Sequence, residues 1–121
     1  MQTWVGIIRT ESDLEKGLAA IEDLKKRVGK IKVEDNRHFN AAWHEAFDMR
    51  NMMIVAEAMC RGALTRKESR GGHAREDFPE MDKHFGGVNI VSKNDGGAMK
   101  TDEVPLPEVP EEIKKILEEK E

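Results

Sequence analysis

Arg66, Glu68, Arg70, His73, Arg75 and Asp77 crowd into the stretch Arg66-Lys67-Glu68-Ser69-Arg70-Gly71-Gly72-His73-Ala74-Arg75-Glu76-Asp77-Phe78-Pro79. A guanidinium is a planar fork of donors that meets a carboxylate through two parallel hydrogen bonds. Two adjacent glycines let a backbone come close to another surface. Residues of these types at this spacing suit a polar junction, in which charged pairs fix one body against another. Two other readings of the same residues remain open. One is a charged helix end that runs into a solvated turn. The other is an anion site, although no glycine-rich loop here leads from a strand into a helix.

Other chemistries find little to work with. His38 and His44 are six residues apart rather than the three or four that would align them on a helix, and His73 and His84 fall in irregular stretches. No convergent set of metal ligands is read from them. Ser69 has no nucleophile elbow and no spaced His and Asp partners. Neither Gly71-Gly72 nor Gly96-Gly97 sits in the strand-to-helix turn of a dinucleotide fingerprint. Cys60 is the single cysteine. It reads as a small buried hydrophobe in a reducing compartment. No catalytic, cofactor-binding or metal-ligating residue is assigned.

The elements that must carry the junction follow from periodicity. Leu14, Leu18, Ile21, Leu24 and Val28 recur at helical spacing, with Thr10 and Ser12 as competing N-caps and Gly29 at the far end. A second, longer helix is predicted from Asn40 as N-cap to about Lys67. Its seam is Ala42, Ala46, Met49, Met53, Ala56, Cys60 and Ala63, and Trp43, Phe47 and Ile54 are expected to widen its buried face. Residues 30–37 connect the two helices. Residues 88–91 alternate like a strand, Asn94-Asp95-Gly96-Gly97 is a turn, and residues 98–104 return as a second strand. Pro105, Pro107 and Pro110 mark an extended linker. A short last helix over residues 111–119 carries Ile113, Ile116 and Leu117. The fold class expected is mainly α: a small antiparallel bundle of two long helices and a short C-terminal one, with a minor β-hairpin. The divisions expected are 1–82 for the bundle and its junction segment (residues 66–82), 83–110 for the strands and proline-rich extension, and 111–121 for the last helix.

Composition bounds the function. The chain has 121 residues, 36% charged and 38% hydrophobic, with net charge −4 at pH 7. That is about one domain. Residues 61–75 hold five Arg or Lys against one Glu, and residues 102–121 hold eight acids against three lysines. The basic stretch suits an acidic partner and the acidic end suits solubility. No apolar run approaches the ~20 residues of a membrane span, and no signal-like leader is read at the N-terminus. A nucleic-acid-binding bundle is disfavoured, because no aromatic residues interleave the positive charges. An autonomous helical interaction module, using residues 61–75, fits the periodicity.

The order of residues 66–82 closely resembles the segment after the long helix in the C-terminal helical domain of succinate dehydrogenase and fumarate reductase flavoprotein subunits. Trp4-Val5-Gly6-Ile7-Ile8-Arg9-Thr10-Glu11 resembles that family's lead into its first C-terminal helix, and residues 46–63 resemble its central helix. Residues 88–110 resemble the strand-and-proline ending of some members. Residues 81–88 lack the aromatic-rich version found in others. L-aspartate oxidase, a wider relative whose C-terminal domain is the minor alternative, shares the Glu-Ser-Arg-Gly but usually departs from His-Ala-Arg-Glu-Asp. The resemblance implies a parent protein that binds FAD and interconverts succinate and fumarate, with FAD and dicarboxylate held by upstream FAD-binding and capping domains. It implies that an iron–sulfur subunit is the partner, and a cytoplasmic location at the inner face of the cell membrane. In that setting Arg66, Glu68, Arg70, His73, Arg75 and Asp77 are expected to form the interdomain interface, and the chain by itself performs no chemistry.

Overall fold

The apolar stripe that begins at Leu14 folds as helix α1 (Glu11–Val28) in the computed structural model, which describes residues 1–34 and 38–118. Thr10 settles the competition for the N-cap: its hydroxyl oxygen accepts from the Asp13 amide and donates to the Asp13 carboxylate. Glu11 and Asp13 in the first turn, and Lys25, Lys26 and Arg27 in the last, complement the helix dipole. Gly29 caps the C-terminus in the right-handed region. Helix α2 (Ala41–Thr65) starts where Asn40 accepts from the Ala42 amide. It stops at Thr65 and does not reach Lys67, because the Arg66 backbone turns extended (φ −80°, ψ 96°). Residues 35–37 of the predicted connection lie outside the described residues.

The two helices run antiparallel. The start of α1 meets the end of α2 (Glu11 with Lys67), and Leu14, Glu22 and Lys25 meet Cys60, Arg61 and Glu57 in turn. Their core is Val5, Leu14, Ile21, Ala56, Cys60 and Ala63, with Leu18 and Leu64 packed beside it. Burying Leu14 and Ile21 contributes roughly 1.5–3 kcal/mol each. Gly17 lets the lead-in lie across α1, since a Cβ there would come within 2.7 Å of Val5 Cγ2.

Only the C-terminal part of the α2 seam is buried, which corrects the wider face predicted from sequence. Trp43, Phe47 (54% exposed) and Ile54 (55%) stay in solvent, together with Met49. Helix α2 has 25 residues against the 18 of α1, and its buried core residues gather towards its C-terminal end, at Ala56, Cys60 and Ala63. Ala42 is exposed too, and Ala46 and Met53 are half-buried.

The rest of the fold is a minor β part. Strands β1 (Ile8–Arg9) and β2 (Ala74–Arg75) pair in parallel, and β3 (Val88–Asp95) pairs antiparallel with β4 (Ala98–Pro105). Gly96 and Gly97, at φ 59° and 92°, make the two-residue turn that hairpins favour. Strand β4 runs one residue into the predicted linker, and Pro105 pairs with Val88 at the hairpin's end. Between β2 and β3 lies the short helix α3 (Lys83–Gly86), capped by Asp82. The last helix, α4 (Glu111–Glu118), leaves Ile113 and Ile116 about half exposed. The side chain of Leu117, and residue 119, lie outside the described residues. The architecture is mainly α with a small β component.

Candidate functional site

The junction residues come together around two buried charges. Glu68 is 0% exposed. Arg66 Nη1 donates to its Oε1 at 2.5 Å, Arg70 Nε and Nη2 grip both oxygens at 2.8 and 3.1 Å, and the Asp82 amide donates to Oε2 at 2.8 Å. The Arg70 bonds lead in holding its carboxyl well below the usual range, at about 2, against the cost of burial. The two guanidiniums also reach backbone: Arg66 donates to the carbonyls of Phe85 and Val88, and Arg70 to that of Asp82. The cluster therefore ties the end of α2 to α3 and the start of β3.

Arg75 is the second centre, 1% exposed. Its fork meets Asp77 twice at 2.7 Å, its Nη1 donates to the Ala63 carbonyl, and its guanidinium lies 5.0 Å from the Phe78 ring centroid. Asp77 in turn accepts from the Glu11 amide at 2.8 Å, in the first turn of α1. The Arg75 bonds keep the Asp77 carboxyl far below its ordinary value. Ser69 holds the loop shut by accepting from the Arg75 amide and donating to the carbonyl of Phe78. His73 completes the set, with Nδ1 beside Arg9 Nη1 and Nε2 beside the Arg66 carbonyl.

All six predicted residues thus lie in one region: two ion-pair centres, Arg66–Glu68–Arg70 and Arg75–Asp77, with His73 bonded to the Arg66 carbonyl. Sequence reasoning missed Arg9, Ser69 and the Asp82 amide. Arg9 stood in the lead-in, 64 residues from His73, and no local spacing signals such a contact. A third buried charge was also missed. Glu57, 3% exposed, receives Lys25 at 2.5 Å and Arg61 at 2.8 Å. Burial opposes its ionisation, but the two cations outweigh it and hold its carboxyl below the ordinary value. The i, i+4 spacing of Glu57 and Arg61 was the available signal.

Among the described residues every buried side-chain polar atom has a partner within the chain. The arrangement is a set of satisfied charge pairs that fixes backbone shape.

A family model described as fumarate reductase flavoprotein C-term matches residues 1–116. The chain belongs to this family. It is 42% identical over 76 residues to a subunit of the CoM/CoB fumarate reductase of Methanothermobacter marburgensis, covering 63% of this chain and 14% of that protein. It is 32% identical over 120 residues to the succinate dehydrogenase flavoprotein subunit of Rickettsia bellii, covering 96% and 20%. Its backbone superposes on Mycobacterium smegmatis Sdh1 in complex with UQ1 with a TM-score of 0.80 at 40% identity, covering 84% of this chain and 18% of that one. For E. coli quinol fumarate reductase FrdA the TM-score is 0.81 at 26% identity, covering 91% and 20%. The domain spans a fifth or less of the length of each of these relatives.

Proposed function

We propose that this chain is the C-terminal domain of an FAD-dependent succinate dehydrogenase or fumarate reductase flavoprotein subunit, with a structural role in succinate–fumarate interconversion. The observation that carries the reading is the family match over residues 1–116. The exposed apolar side of α2, with Phe47, Met52, Ile54, Val55 and Met59 all about half exposed or more, supports it as a surface that needs covering. In this reading the FAD-binding and capping domains of the same polypeptide cover part of that surface, and an iron–sulfur subunit is a neighbour. The parent complex lies on the cytoplasmic side, at the membrane's inner face. No described helix is long and apolar enough to cross a membrane.

Residues 1–82 dock, residues 83–110 form the hairpin and extension, and the division 111–121 carries the last helix, α4 (Glu111–Glu118). Arg66, Glu68, Arg70, His73, Arg75 and Asp77 line the seam to the flavin body. Glu68 and Arg75 act as its buried anchors, while Arg70, 41% exposed, has donor capacity left to offer outward. The family implies FAD, but the described residues of this chain do not fit it. All three glycine pairs, Gly71-Gly72, Gly86-Gly87 and Gly96-Gly97, lie outside any strand-to-helix turn, and the buried polar atoms are already partnered.

The test is the intact mass and visible spectrum of the native gene product, captured with an antibody to this chain. A polypeptide several times heavier than 13.7 kDa with flavin absorbance is expected. A colourless species at that mass overturns the reading. In the flavin-containing protein, Arg70→Ala is expected to lower thermal stability or flavin retention clearly, and an effect no larger than that of Lys16→Ala would remove Arg70 from the seam.

A further inference from the structure

The imidazole of His73 bridges the lead-in strand and the end of α2, and its partners determine its protonation. Nδ1 lies 2.7 Å from Arg9 Nη1 and Nε2 lies 3.0 Å from the Arg66 carbonyl oxygen. A guanidinium only donates, so Nδ1 must accept. A carbonyl only accepts, so Nε2 must carry the hydrogen. Together they specify the neutral Nε2–H tautomer. A proton added at Nδ1 would set an N–H against the Arg9 N–H and a positive charge against a positive charge. The charged groups facing the ring are all cations: Arg9 from β1, Arg66 from the end of α2 and Arg75 from β2. The nearest network carboxylates are engaged elsewhere, Glu68 by Arg66 and Arg70 and Asp77 by Arg75.

What the imidazole secures is slight by itself. β1 and β2 pair over two residues, through the Ala74 amide to the Ile7 carbonyl at 3.3 Å and the Glu76 amide to the Arg9 carbonyl at 2.9 Å. A pairing this short does not persist without side-chain support. We propose that His73 is a proton-operated latch: neutral, it holds the lead-in strand on the junction segment, and protonated, it lets β1 part from β2. The inference stands on this chain's own geometry and does not rest on the flavoprotein reading. Burial first pushes the imidazole below its ordinary 6.5, and the three guanidiniums add to it, against the bond to the Arg66 carbonyl, which favours the proton. The released state binds the proton more readily, so the latch holds above about pH 6.5 and loosens as pH falls below it.

The experiment is hydrogen exchange by mass spectrometry on the native gene product at pH 7.5 and pH 5, corrected for intrinsic exchange rates. Peptides spanning residues 72–78 report the latch and peptides within α1 are the internal control. Protection at 72–78 is expected to fall at pH 5, towards a ceiling of about thirtyfold set by an imidazole of ordinary pKa in the open state. The α1 peptides should not follow. Glu68 is silent in this window, because its carboxyl stays ionised down to about 2. His73→Gln keeps a neutral acceptor and donor and should abolish the pH dependence. Equal protection at both pH values in the unmodified protein overturns the latch, as does a pH-dependent loss that persists in His73→Gln. If His73→Gln also loosens α1, the imidazole nitrogen shifts of the unmodified protein decide: an Nδ1–H or charged ring at pH 7.5 overturns the proposal, and a neutral Nε2–H ring that charges as protection is lost upholds it.

Discussion

Replacing Glu68 by glutamine keeps the shape of the side chain and removes its charge. Four donor contacts converge on the native carboxylate, from Arg66, twice from Arg70, and from the Asp82 amide. A glutamine has one oxygen to offer. Whichever way its amide turns, its NH₂ group faces at least one N–H donor that bonded the native carboxylate. Removing one partner of a buried charge pair costs about 3–5 kcal/mol. Arg70 is partly solvated and regains water, so about 3 kcal/mol is expected here. For a domain of this size each kcal/mol moves Tm by about 4 °C, giving a fall of about 12 °C. The assay is thermal denaturation followed by circular dichroism, with Lys16→Ala as control, since Lys16 pairs with Asp13 at 3.5 Å on the surface. That control should shift Tm by no more than about 4 °C.

The pH arm sharpens the test. Between pH 4.5 and about 2 the unfolded chain takes up a proton at Glu68 and the folded chain does not. Stability from this group is therefore full above 4.5 and is lost as pH falls through about 2. Glu68→Gln should remove that part of the acid sensitivity while the Asp77 contribution, lower in pH and of the same sign, remains. A Tm change equal to the control's, or an unaltered acid profile, would refute the buried-anchor reasoning.

Two further outcomes follow from packing. Gly17→Ala gains about 1 kcal/mol of helix propensity but sets a methyl 2.7 Å from Val5 Cγ2, an overpacking cost of about 1–3 kcal/mol, so Tm should fall. A raised Tm would mean that the lead-in yields without loss. Cys60 is fully buried, donates to the Leu14 carbonyl, and has its thiol pushed up by burial. It should resist a thiol-specific disulfide reagent at pH 8 until the protein unfolds, and rapid labelling of the folded protein would contradict its place in the core.

The parts that could be read from sequence were those determined by neighbours along the chain. Thr10 and Asn40 cap helices because a short polar side chain reaches an amide two or three residues on. Gly96-Gly97 makes its turn because the backbone there needs φ above zero. The Arg66 to Asp77 stretch stood out by its residue types, which left a solvated turn open, and by the resemblance of their order to the family's; its members do meet. The exposed N-terminal half of the α2 seam was misread, because periodicity marks a face and says nothing of whether anything covers it.

What only the tertiary structure decided was the pairing across distance. Glu68 and Arg75 are buried because the loop folds back on the end of α2 and on α3, and nothing local in their sequence distinguishes them from surface charges. Arg9 finds His73 only when β1 lies beside β2, and Asp77 finds the first turn of α1 only when the lead-in is in place. A helix cap or a hairpin turn is set by geometry within a few residues, so the sequence alone contains it. A buried charge is tolerated only where several remote donors converge, and that convergence exists only once the chain has folded.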